Sequence, residues 1–152
     1  MARTQLDAAL AAALTDRRLL EHPFYRRWQA GTLEPGELAR YAEQYRHVEA
    51  SLPGTLRAIA DGLPAGRARS LVEANLHDEL SEPRAHVAMF EGFARVVGAE
   101  AGVPATQRTN ELVATYEAAT TESPLAGLGV LAAYECQAAA IAQSKGPSLT
   151  AG

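Results

Sequence analysis

Apolar residues recur at helical spacing along almost the whole chain. Leu6, Leu10 and Leu14 fall at i, i+4 and i+8, one stripe of a first helix that the pattern carries to about His22. His22-Pro23 interrupts it, because the residue before a proline is pushed out of the α region. A second helix is expected from Pro35, a residue suited to a first helical position, through Leu38, Tyr41, Tyr45 and Val48. Ser51-Leu52-Pro53-Gly54 reads as a break, a short helix follows to Asp61, and the segment from Gly62 to Gly66 reads as a loop. The next helical stretch, about Arg67 to Val97, holds Pro83 in its interior. A loop from Gly98 to Pro104 leads to a helix from about Thr106 to Thr121. Ser123-Pro124 then opens a last helix to about Lys145, with Ser123 as its N-cap. No strand of any length and no internal repeat is visible. The pattern predicts an all-α fold: six or so helices in one bundle over 1–145, then a polar tail over 146–152.

Composition agrees with that pattern. Alanine is abundant and Val and Ile are sparse, which favours helix because alanine loses no side-chain entropy there. A formal net charge of −4 offers no basic field for a phosphate backbone, so nucleic acid is not an expected partner. One cysteine cannot form an internal disulfide, in keeping with a reducing cytoplasm. The apolar N-terminal run is broken by Asp7 and followed by Asp16, Arg17 and Arg18; it reads as a first helix, not a secretion signal. No segment is expected to match the ~18 apolar residues of a membrane span, and no membrane contact is expected.

Three places hold residues with chemical potential. In NLHDELSEPRAHVAMF, Glu79 and His86 are seven apart, close to two helical turns, so they share a face. An ideal helix would set their Cα atoms about 10.5 Å apart, an awkward span for one ion. Pro83 cannot donate to the carbonyl of Glu79 and its ring clashes there, so the helix must kink or open between the two. Carboxylate with imidazole suits iron or manganese. A surface helix rich in Glu and His fits the same letters. In LAAYECQAAAIAQSK, Glu135 stands among small apolar residues, with Tyr134 and Gln137 beside it. A carboxylate turned into a core needs a partner or a metal; turned outward it needs neither. Lys145 near the helix end complements the helix dipole. In HPFYRRW and RYAEQYRHVE, the aromatics Phe24, Tyr25, Trp28, Tyr41 and Tyr45 read first as packing, and His47 as a minor ligand candidate. His22, before a proline, reads as a cap or a surface residue.

Taken together, LLEHPFYRRWQAGTLEPGELARYAEQYRHVEA, NLHDELSEPRAH and AYECQAAAIAQSK resemble, in order and spacing, the haem-oxygenase-like diiron oxidases. The likeness is to the branch containing the Chlamydia protein associating with death domains and related p-aminobenzoate synthases. It implies a haem-oxygenase-like helical bundle and an O2-dependent oxidoreductase using iron, manganese or a mixed iron/manganese pair. The resemblance makes Glu79, His86 and Glu135 metal ligands. It makes Tyr25 and Tyr41 tyrosines near the metal, one of them the source of the aromatic ring, and Lys145 the amino donor for p-aminobenzoate.

Members of that family are expected to carry a further helix with a His-x3-Asp-x3-His set, which does not occur among these 152 residues. The expected bundle is therefore truncated at its C-terminus, with three of six ligands and an apolar face where the helix would pack. A homodimer or a partner chain is expected to cover that face. Two other readings remain open on this scaffold. One is a thiaminase II or pyrroloquinoline quinone synthase-like enzyme, with Cys136 near the thiaminase nucleophile position. The other is a non-catalytic helical interaction protein that has lost the metal site.

Overall fold

The computed structural model describes residues 2–81 and 86–145, and the side chains of all of these except 2–4, 6, 7 and 142–145. Seven α-helices and one 3-10 turn lie among these residues, and no strand occurs among them. They are α1 (Ala2–Ala13), the 3-10 turn (Leu19–Glu21), α2 (Pro23–Gln29), α3 (Pro35–Gly62), α4 (Arg67–Leu80), α5 (His86–Val96), α6 (Gln107–Glu122) and α7 (Pro124–Lys145). The chain divides into two compact units. Glu34–Val130 holds α3 to α6 and the start of α7; the other unit joins Met1–Leu33 to the part of α7 from Leu131.

The first helix ends earlier than its apolar stripe suggests. Past Ala13 the chain reads Leu-Thr-Asp-Arg-Arg, and the Thr15 hydroxyl donates back to the Ala11 carbonyl at 3.0 Å. Thr and Asp side chains compete for backbone groups in this way and favour turns. The short α2 was not expected. Its signals are Pro23 at the first position and His22 as N-cap, where Nδ1 accepts from Phe24 N–H at 3.2 Å.

The break expected at 51–54 does not occur, and α3 runs unbroken through Pro53. A proline inside a helix costs about 3 kcal/mol. Leu52, Leu56 and Ile59 around it are buried, and burying each such side chain stabilises by roughly 1.5–3 kcal/mol. Burial wins. The same stripe, extended by Ala42, Val48 and Ala60, makes α3 the core element of its unit, against which α4, α5 and α6 all pack. A polar edge of α3 holds α5 and the loop between α5 and α6. Arg46 Nε and Nη2 donate to Glu91 at 2.6 and 3.1 Å, and Nη1 donates to the Glu100 carbonyl at 2.8 Å. That hydrogen bond with Arg46 is the main reason the Glu91 carboxyl is held below the usual carboxylate range. Gln44 accepts from Thr106 N–H at 2.7 Å, and His47 Nε2 lies 2.9 Å from the Val103 carbonyl. His47 thus serves the loop.

Ser123 caps α7 as expected, accepting from Ala126 N–H at 3.0 Å. One correction concerns this helix: Pro124–Ile141 is an 18-residue window long and apolar enough to cross a membrane, by length and composition. Length and composition alone do not place a helix in a membrane, and only 6% of this window is buried. Gly127 lets α7 approach α3 closely, since a Cβ there would lie 2.8 Å from Cγ1 of Ile59 and 3.1 Å from Cγ2 of Thr120. Cγ1 is bonded to the Cβ of a fully buried residue, is not the free end of a flexible side chain, and cannot swing aside. Gly127→Ala is expected to cost about 1–3 kcal/mol in overpacking, against roughly 1 kcal/mol gained in helix propensity. Gly129→Ala meets nothing within 4 Å and should stabilise by about 0.4–1 kcal/mol. Denaturant unfolding checks the pair: shifts of the same sign would refute the close approach.

Candidate metal centre

The stretch expected as one helix from Arg67 to Val97 is two. Helix α4 stops at Leu80, where Ser81 turns extended (φ −81°, ψ 118°) and its hydroxyl donates to the His77 carbonyl at 2.6 Å. Helix α5 starts at His86. The kink assigned to Pro83 lies outside the described residues. Val72 and Glu79 are the buried residues of α4, seven apart, so Glu79 ends the stripe that faces the core. It is only 5 % exposed. A buried carboxylate is costly unless it is hydrogen-bonded, and His86 Nδ1 lies 2.8 Å from its Oε1. The imidazole is half exposed, so the pair joins the interior of its unit to the surface. Opening the helix has brought together two side chains that an unbroken one would hold about 10.5 Å apart along its axis.

The donor set fits iron: one carboxylate oxygen and one imidazole nitrogen within hydrogen-bond reach of each other, hard to borderline ligands suited to iron and manganese. Among the described residues no three of His, Cys, Asp and Glu group closely enough to hold an ion. His77 and Asp78 are exposed. Glu135 belongs to the other unit, on an exposed side of α7 next to exposed Cys136. There Gln137 accepts from Leu19 N–H at 2.8 Å, tying α7 to the 3-10 turn. Lys145 is the last residue of α7, and its side chain lies outside the described residues.

The two candidate tyrosines are placed differently. Tyr25 is buried and stacks on Trp28 (centroids 6.3 Å apart, planes 6° apart), with Phe24 edge-on to both. Tyr41 is half-buried in the same unit as Glu79 and His86, and stacks on Tyr45 at 5.3 Å and 16°. Tyr45 in turn meets Phe90 at 5.5 Å. Phe90 stands four residues after His86, on the same face of α5. Tyr41 and Tyr45 lie one helical turn apart in the chain, whereas Phe90 arrives from another helix and carries no local signal of this contact.

Residues 39–150 match the sequence model of a family of iron-containing redox enzymes related to haem oxygenase. The chain belongs to this family. The match spans Tyr41, Glu79, His86, Glu135 and Lys145, and leaves Tyr25 outside it. Among individual members, 4-aminobenzoate synthase of Nitrosomonas europaea is 32% identical over 159 residues, covering 95% of this chain and 65% of that protein. The enzyme of the same name from Chlamydia muridarum is 31% identical over 142 residues, covering 90% of this chain and 60% of its own length. The chain thus spans under two thirds of the length of these relatives. An all-α fold is what this redox family has, and the helices described above agree with it.

Proposed function

We propose that this chain is an iron-dependent, O2-using oxidase that forms 4-aminobenzoate from one of its own tyrosines. The reading rests on the Glu79–His86 contact, a buried carboxylate meeting an imidazole across a helix break, in a chain of the iron-containing redox family. Glu79 and His86 would hold the metal; manganese or a mixed pair would suit the same donors. Bound iron supplies one-electron exchange with O2. The chain's own residues do the rest. Tyr25 or Tyr41 supplies the ring, and Lys145 supplies the amino nitrogen; Tyr25 is buried against Trp28, while Tyr41 is half-buried against Tyr45. The names of the relatives support the product.

The same reading puts the protein in the cytoplasm, in keeping with its single cysteine. It also puts a second copy or another chain over apolar surface: Leu71 and Leu80 on α4 and Met89 and Val96 on α5 are exposed.

A single-turnover experiment tests the function. Protein loaded with Fe(II) without air, then given O2, is expected to release 4-aminobenzoate and to lose the matching mass from Tyr25 or Tyr41. Iron-loaded protein that consumes no O2 and keeps an unchanged intact mass would remove the proposal. A non-catalytic scaffold is the second reading, favoured by the exposed position of Glu135.

A further inference from the structure

The aromatic file Tyr41–Tyr45–Phe90 occupies the same unit as the Glu79–His86 pair and leads along one face of α5 to His86. We propose that Tyr45 is a redox positioning residue: it and Tyr41 give up one electron as a stacked pair, with Phe90 bridging the pair to His86. Two observations carry this. The two rings are near-parallel, at a centroid separation of 5.3 Å that lies within the range for interacting aromatics. A positive charge created on one ring then falls within the reach of roughly 6 Å over which a cation is stabilised by an aromatic ring. The second is continuity, since Phe90 meets Tyr45 and stands one turn from His86.

The step is a one-electron oxidation. The pair loses one electron to a one-electron oxidant, and the ring cation then loses its phenolic proton to water. A neutral tyrosyl radical is left and no other bond changes. Both rings are half-buried and so remain within reach of solvent. Phenylalanine is harder to oxidise than tyrosine, so Phe90 carries contact and stores no charge. Only the identity of the oxidant in the working protein rests on the iron reading proposed above.

The test therefore uses metal-free protein and photogenerated tris(bipyridine)ruthenium(III) as oxidant. A nitroso spin trap marks the radical and tryptic mapping locates it. Cleavage after Arg40 and Arg46 isolates Tyr41 and Tyr45 in one peptide, 41–46. Trapped radical is expected in that peptide at about three times the level at half-buried Tyr116, or more. Tyr45→Leu, which removes the stacked ring, should lower adduct at Tyr41 about threefold or more, with a matching fall in the freeze-quenched tyrosyl EPR signal. Tyr45→Phe keeps the ring and should leave Tyr41 within about twofold of the parent. Equal labelling of Tyr41 and Tyr116 overturns the proposal. So does an equal effect of the Leu and Phe variants. If circular dichroism shows Tyr45→Leu unfolded, Tyr45→Phe decides alone: Tyr41 labelling retained supports the stacked pair, and labelling lost overturns it. Failure here leaves iron binding untouched, and failure to bind iron leaves this result untouched.

Discussion

Glu79→Ala is expected to bind Fe(II) at least about tenfold more weakly than the parent chain after anaerobic reconstitution. Losing a group that merely orients a ligand lowers metal affinity by roughly 10–100-fold, and Glu79 is proposed as a ligand itself. Its carboxylate is buried at the core-facing end of α4 with His86 Nδ1 at 2.8 Å, so the variant loses a donor that the fold holds in place. Glu79→Gln separates charge from shape. The amide keeps an oxygen for the imidazole and fills the same space but carries no negative charge, so its iron affinity should also fall. Its thermal unfolding should stay closer to the parent than that of Glu79→Ala. Iron content by elemental analysis and binding by titration read the outcome. Equal iron in parent and both variants would mean that the pair is structural only.

Leu56→Ala is expected to destabilise the protein by about 2–5 kcal/mol, the range for truncating a buried leucine. Leu56 is 1 % exposed on the central stripe of α3, with Leu52 and Ile59 beside it on the helix and α4, α5 and α6 packed against that helix. The cost combines lost burial with a cavity that neighbours on several helices can fill only in part. Leu125→Ala is the control: this side chain is 73 % exposed, and such surface changes stay within about 0.5 kcal/mol. Urea unfolding followed by circular dichroism measures both. A loss under about 1 kcal/mol at Leu56 would mean that α3 is not the core element described here.

Helix content, the N-cap at Ser123, and the α6 and α7 boundaries were legible in the chain, because caps and prolines act on their immediate neighbours. Elsewhere tertiary packing outweighed the local signal. Pro53 looks like a break but is carried through by buried Leu52, Leu56 and Ile59. The stripe of Leu6, Leu10 and Leu14 continues past Ala13, yet the helix does not, since Thr15 takes up a backbone carbonyl.

The candidate site divides in the same way. The spacing of Glu79 and His86 around Pro83 already required the helix to kink or open, a local consequence of proline's missing donor. That Glu79 is buried, that His86 reaches it at 2.8 Å, and that Phe90 meets Tyr45 were decided by the packing of α4 and α5 on α3. His47 shows the converse, an imidazole of ligand type whose Nε2 lies against the Val103 carbonyl of a loop. Backbone rules act over one or two turns and can be read in the letters; which side chains from different helices meet depends on burial, and only the folded chain decides that.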